Sequence, residues 1–245
     1  MKISIVSLGC SKNLVDSEIM TGALKSAGHE ISAEENAEVI IVNTCGFIGD
    51  AKRESVDTIL ELSKRKEEGS CRKLIVTGCL VERYAGELSR ELPEVDAFWG
   101  TGSLLRINEA LNDLNPEKIH RSPPGTLYDP DTPRVLLTPS HYAYVKVSEG
   151  CSRTCSFCII PKMRGVMKSR PVESITGEAA RLGEKGVREI NLIAQDMTSY
   201  GRDIGTNLEN MLRELVKVDG IKWIRIHYCY PWGLTDSLVG LIADE

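Results

Sequence analysis

Residues 38–79 read "EVIIVNTCGFIGDAKRESVDTILELSKRKEEGSCRKLIVTGC", and the alternation inside this stretch decides the fold class. "EVIIVNT" and "KLIVTG" are apolar runs of strand length, and residues 50–66 between them carry an amphipathic helical pattern. Runs of Ile and Val bounded by helical patterns read as buried parallel strands joined by helices, because the crossovers cover both sheet faces. The same alternation extends outward on both sides. "KISIVSLG" and an amphipathic stretch at 13–27 come before it; residues 81–90, "DAFWG" and residues 103–113 come after. An open α/β domain of four parallel strands is therefore expected over residues 1–113.

The segment "NPEKIHRSPPGTLYDPDTPRVLLTPS" then places six prolines between residues 115 and 140. That density excludes a continuous helix or a central strand, so residues 114–140 read as a linker, with "RVLL" as a short candidate strand. A second series occupies 141–245. It runs through "YAYVKVS", a cysteine loop, a helix at 171–185, "REINLIAQD", a helix near 207–218, "WIRIHYCYP" and a helical start at "TDSLVGLIADE". The order is again β/α, as in a barrel or part of one. The chain stops inside a helical pattern, so this second domain is expected to be incomplete.

A length of 245 residues suits one large or two ordinary domains. Apolar residues make up 42% and charged residues 27%, no apolar run exceeds a strand, and no signal-peptide pattern opens the chain. A soluble, cytoplasmic protein with no membrane partner is expected. Thirty Lys and Arg against thirty-five Asp and Glu give a net charge of -5, which provides no global field for nucleic acid. The stretch "PKMRGVMKSR", with Arg153 just before it, is the one basic concentration and suits an anionic group.

Eight cysteines, at 10, 45, 71, 79, 151, 155, 158 and 229, are many for a reducing compartment, where metal binding or redox chemistry is the better expectation than disulfides. Cys151, Cys155 and Cys158 are spaced C-x3-C-x2-C just after the strand "YAYVKVS", at the strand end where α/β folds bind ligands. Three readings are open. One is a zinc knot with a distant fourth ligand such as Cys229 or His141. Another is a Cys155–Cys158 dithiol, which Pro161 and Gly165 disfavour by interrupting the helix it needs. The third is a [4Fe-4S] cluster on three thiolates whose fourth iron stays open for a ligand.

Cys10, Cys45 and Cys79 form a second trio. Each follows an apolar run, at separations of 35 and 34 residues, one βα unit apart. Side-by-side parallel strands would bring all three thiols to one sheet edge, although buried small residues remain an alternative. Cys71 precedes its strand and belongs at the opposite end; Cys229 also reads as a non-ligand. Asn13, Asp16 and Glu18 open the helix beside Cys10, as ordinary helix-start residues or as neighbours of the thiols.

"CSRTCSFC" resembles the cluster motif of radical S-adenosylmethionine enzymes, and the two cysteine trios together resemble the methylthiotransferases of that superfamily. The resemblance covers essentially the whole chain. It implies an amino-terminal open parallel-sheet domain with an auxiliary [4Fe-4S] cluster on Cys10, Cys45 and Cys79, then a partial (β/α)6 radical barrel, incomplete here, and a carboxyl-terminal β-domain that this sequence lacks. A second [4Fe-4S] cluster on Cys151, Cys155 and Cys158 is implied to bind S-adenosylmethionine through its open iron and cleave it to a 5'-deoxyadenosyl radical. Phe157 is implied to pack near the cofactor, or else to be core. Arg164 and Arg170 match the family's PxxRG and SRP elements and suit the cofactor carboxylate. Gln195 and Asp196 end a barrel strand at the same mouth, Asp196 alternatively capping the next turn. No acid-base residue is implied.

"SLGCSKNLVDSE" and "NLIAQDMTSYGRD" look like the branch of the family that modifies an aspartate β-carbon in a small-subunit ribosomal protein. The implied partners are that protein or the ribosomal subunit, and a reducing protein such as a flavodoxin or ferredoxin; RNA contact would come through the absent β-domain. A tRNA-modifying methylthiotransferase and a non-catalytic metal-binding module are the alternatives. Met197 stands where the family often has Thr, His227 replaces a more common apolar residue, and Cys229 adds a thiol near the mouth.

Overall fold

A computed structural model describes residues 1–112 and 117–244, so the expected domain boundary at 113/114 lies outside the described residues. The chain divides into two compact units. The first comprises Met1–Thr126, Thr132–Val135 and Phe157–Arg164; the second comprises Leu127–Asp131, Leu136–Ser156 and Gly165–Glu245.

The first unit contains β1 (Lys2–Ser7), α1 (Ser11–Ser26), β2 (Glu30–Ile31), β3 (Val39–Thr44), α2 (Gly49–Glu67), β4 (Lys73–Gly78), α3 (Cys79–Glu91), β5 (Ala97–Trp99), β6 (Ile119–His120) and α4 (Ile160–Arg164). The strands form one parallel sheet in the order β2-β1-β3-β4-β5-β6. Every residue of β3 and β4 is buried, which is why these two read as unbroken apolar runs. Alternate residues serve opposite faces. Ile40, Val42, Leu74 and Val76 pack with Ile59 of α2 and Val81 of α3, while Val39, Ile41 and Ile75 pack with Met20 and Leu24 of α1.

The four expected strands are present. The edge strands β2 and β6 are two residues each, too short to leave a periodic signal. Residues 101–111 form a 3-10 helix interrupted at Arg106 (φ -100°, ψ 18°) rather than the regular helix expected over 103–113. "RVLL" is not a strand: the Val135 amide donates to Glu18 O of α1 at 3.1 Å, and Arg134 pairs with the Glu18 carboxylate, so residues 132–135 lie along that helix as a strap. Side-chain pairing with a helix took the backbone that a sheet would have used.

The second unit holds β7 (Tyr142–Lys146), β8 (Ser148–Glu149), β9 (Lys168–Ser169), α5 (Val172–Glu184), β10 (Glu189–Ile193), α6 (Leu208–Leu215), β11 (Trp223–Ile226) and α7 (Asp236–Asp244). β7, β10 and β11 form a parallel sheet in the order β11-β10-β7, and β8 pairs antiparallel with β9. Ala143, Val145, Ile190 and Leu192 pack under Ile175 and Ala179 of α5 and Met211 and Leu215 of α6. The expected fold class is thus found: an α/β chain with an amino-terminal open parallel sheet and part of a β/α barrel, here three parallel strands. No helix among the described residues is long and apolar enough to cross a membrane.

Candidate functional site

The register of the first sheet brings the strand-end cysteines together. Thr44 pairs with Gly78, so Cys45 and Cys79 are the next residues along adjacent strands. Ser7 pairs with Asn43, which continues to set Gly9 level with Cys45. A Cβ on Gly9 would lie 2.7 Å from Cys45 Cβ, and Gly9 adopts φ +88°, so only glycine lets the Cys10 loop lie against Cys45. Gly78, at φ +100°, does the same for Cys79: a Cβ there would meet Asn43 Oδ1 and Thr44 O, both at 2.5 Å.

Asn13, wholly buried in the first turn of α1, ties the three strand ends together. Its Nδ2 donates to Leu8 O and Thr44 O, both at 2.9 Å, and its Oδ1 accepts from Cys79 Sγ at 3.8 Å. Asn43 supports it by donating to Asn13 O and Ser17 Oγ. The thiols differ in setting: Cys10 is exposed, Cys45 half-buried and Cys79 buried. Burial raises the Cys45 thiol and pushes Cys79 up to about 11; for both, charge on Cys10 opposes ionisation and the Arg164 guanidinium favours it.

Arg164, expected beside a cofactor carboxylate, lies in the first unit at the end of α4 and is only 4% exposed. Its Nε donates to Cys79 Sγ at 3.2 Å, Nη1 to Asp16 Oδ2 at 2.6 Å and Nη2 to Asn13 Oδ1 at 2.5 Å. Asp16 is therefore a partner of the thiol neighbourhood. Glu18, by contrast, is committed to Arg134.

Three thiols on adjacent strand ends, with a guanidinium against one of them, suit a group that takes one thiolate per iron. Such a group spreads its ligands. Among the described residues no group of three or more His, Cys, Asp or Glu side chains is arranged to hold a metal ion.

In the second unit Cys151 is buried, with its amide donating to Gly165 O at 3.0 Å. Half-buried Cys155 lines a cavity of about 650 Å³ with Arg153, Ser199, Arg202 and Tyr230. Cys158 and Phe157 belong to the segment grouped with the first unit; Cys158 is half-buried and Phe157 is 87% exposed, so Phe157 is not a core residue.

Gln195 donates to Glu149 Oε1 at 2.7 Å, and Glu149 also pairs with Lys146 at 2.6 Å, both of these buried. The Gln195 Oε1 atom is buried without a hydrogen-bond partner, so it keeps an acceptor for a bound group. Asp196 caps the next turn by accepting from the Thr198 amide at 3.1 Å, and its carboxylate also accepts from Ser199 and Arg153. Burial raises its carboxyl, yet the hydrogen bonds from Ser199, Thr198 and Arg153 outweigh this and hold it below the usual range. Arg170 is 1% exposed, with Nη1 donating to Glu178 and Lys146 O and its remaining fork to Ser174; these contacts fasten α5 beside β7.

Arg153, between the first two cysteines of its loop, was expected only as part of the basic concentration that suits an anionic group. Its guanidinium lies 3.8 Å from the centre of the Tyr230 ring. His227 pairs with Asn191 at 2.9 Å, and Cys71 donates to Lys73 O at the opposite sheet edge from Cys79.

Residues 2–100 match a family described as "Uncharacterized protein family UPF0004", and residues 145–244 match the radical SAM superfamily. Ribosomal protein uS12 methylthiotransferases RimO are similar along the whole chain: 51% identity for that of Pelobacter propionicus and 52% for that of Geobacter sulfurreducens. This chain is closely related to the RimO methylthiotransferases. It spans 56% of the length of each of these two relatives. Among solved structures, the radical S-adenosylmethionine methyltransferase TsrM from Kitasatospora setae, with cobalamin and a [4Fe-4S] cluster bound, superposes with a TM-score of 0.59. That match covers 99% of this chain and 58% of TsrM at 14% identity, a likeness of fold alone.

Proposed function

We propose that the chain acts in radical S-adenosylmethionine methylthiotransfer, adding a methylthio group to the β-carbon of an aspartate in ribosomal protein uS12. The observation that carries the proposal is identity of about half of all positions to RimO proteins over the entire chain. The convergence of Cys10, Cys45 and Cys79 supports it, because a second thiolate site is what methylthiotransfer needs beyond radical generation.

In this reading Cys10, Cys45 and Cys79 hold one [4Fe-4S] cluster, and Cys151, Cys155 and Cys158 hold another. The second, with S-adenosylmethionine bound, supplies a carbon radical able to remove a hydrogen that is too weakly acidic for any base the chain offers. The protein's own work is positional. Asn13 fixes the spacing of three strand ends, and Gln195 keeps an acceptor for the cofactor. Asp196 aims Arg153 along the cavity beside Cys155. Arg153, already paired with Asp196, and Arg202 line that wall together with Asp203, and their guanidinium donors suit a carboxylate-bearing substrate. An external one-electron donor, such as a flavodoxin or ferredoxin, completes the scheme.

Anaerobic reconstitution with iron and sulfide, then incubation with S-adenosylmethionine and either small ribosomal subunits or undermodified tRNA, tests the proposal. Methylthio-aspartate in uS12 by mass spectrometry is the expected product. Modified adenosine without modified uS12 would move the assignment to tRNA. Tightly held zinc with no cluster absorbance would replace it with a metal-binding module.

A further inference from the structure

We infer that Arg164 and Asp16 form a charge-setting pair for the Cys10, Cys45 and Cys79 site, with Arg164 the positioning residue that orients Cys79. The inference rests on the cluster reading of that site and goes further: it assigns residues that ligate nothing.

The geometry is specific. A planar guanidinium distributes its three nitrogens among one thiol, one carboxylate and one amide oxygen: Nε to Cys79, Nη1 to Asp16 and Nη2 to Asn13. All four residues are buried, so water cannot take over these bonds. Thr101 Oγ1 donates to Met163 O at 2.9 Å, fixing the backbone beside Arg164. A lysine could supply the charge but not the three-way fork.

The chemical consequence follows from charge. The potential of a thiolate-ligated cluster depends on its net charge and on hydrogen bonds to its sulfurs; a donor or a cation beside a sulfur favours the reduced, more negative state. Arg164 supplies both. Asp16 offsets most of the cationic charge while holding the Nε–H towards sulfur. The two residues should therefore move the potential in opposite directions, which a purely structural clamp would not do.

The test uses this chain with Cys151, Cys155 and Cys158 replaced by Ala, so that only the first site can load. The background, R164M, R164K and D16N are reconstituted anaerobically, their iron and sulfide are counted, and the midpoint potential is read by EPR-monitored titration. In R164M the potential is expected to fall by at least tenfold in the oxidised-to-reduced ratio, about 59 mV for a one-electron couple. R164K should recover part of the shift, and D16N should raise the potential above background. A background chain that takes up no iron and sulfide overturns the cluster reading itself. A loaded background whose potential is the same in R164M and D16N overturns only the present inference. If R164M fails to load, D16N decides, since it keeps the guanidinium: a raised potential supports the pair, and an unchanged or lowered one overturns it.

Discussion

The two thiol sites are built in opposite ways. Cys10, Cys45 and Cys79 are 34 to 35 residues apart in sequence and are assembled by the register of a parallel sheet, with Asn13 bonded to two strand ends at once. Cys151 and Cys155 sit within five residues of each other in a loop without regular structure, where the backbone of residues 151–155 forms neither helix nor strand. Tertiary packing makes the first site, so its geometry depends on residues remote from the thiols. Local spacing sets the second motif, with the Cys151 amide bonded to Gly165 O.

Single-ligand substitutions probe this contrast with the largest effects. On the proposed function, C151A and C45A are each expected to abolish methylthio transfer and to lower bound iron by about half, one proposed cluster of two. They should differ in one respect: C151A abolishes formation of 5'-deoxyadenosine from S-adenosylmethionine, and C45A retains it. Chromatography of the nucleoside products checks this, and loss of cleavage in C45A would show that the sites do not work separately.

Stability should divide along the same line. G78A forces a side chain into φ +100° against Asn43 Oδ1 and Thr44 O, and should cost about 3 to 4 kcal/mol by chemical denaturation. T154A, at an exposed loop position between Cys151 and Cys155, should change stability by less than about 0.5 kcal/mol. Similar costs for the two would erase the distinction between a packed and a local site. E18Q tests a more distant support of the first unit. It removes the charge of the buried partner of Arg134, whose side chain is 9% exposed, and should cost about 3 kcal/mol.

How much of this was legible in sequence follows from the same difference. The strand–helix alternation and the strand-end placement of Cys10, Cys45 and Cys79 were readable, because apolar periodicity and the residue that ends each apolar run are properties of neighbouring residues. The placement of Arg164 was not. Its motif lies a few residues after Cys158, but its partners Asp16, Asn13 and Cys79 lie 85 to 151 positions away, and no local pattern encodes a bond of that span. Arg170 was expected beside the cofactor carboxylate through its match to the SRP element, and its contacts with Glu178 and Ser174, eight and four residues on, turn the fork towards α5. Asp196 carried both readings, and its capping of the Thr198 amide was the one that turn chemistry could foresee.

Asp196 also supplies a test confined to the second unit. D196N replaces a carboxylate that accepts from Ser199, Thr198 and Arg153, and at neutral pH should cost about 2 kcal/mol, the scale of charge-assisted hydrogen bonds. Because the folded-state pKa is held below the unfolded value of about 3.9, the carboxylate's contribution is fully present above that value and is lost as pH falls through the folded pKa. The stability gap between the parent chain and D196N should therefore be flat from about pH 7 to pH 5 and narrow below about pH 4. C45A, whose substitution lies in the first unit, should show the same acid dependence as the parent, since it leaves Asp196 and its donors in place. A gap that widened on acidification would mean that Arg153 is held by something other than the ionised carboxylate, and the placement of Arg153 in the cavity beside Cys155 would need a different support.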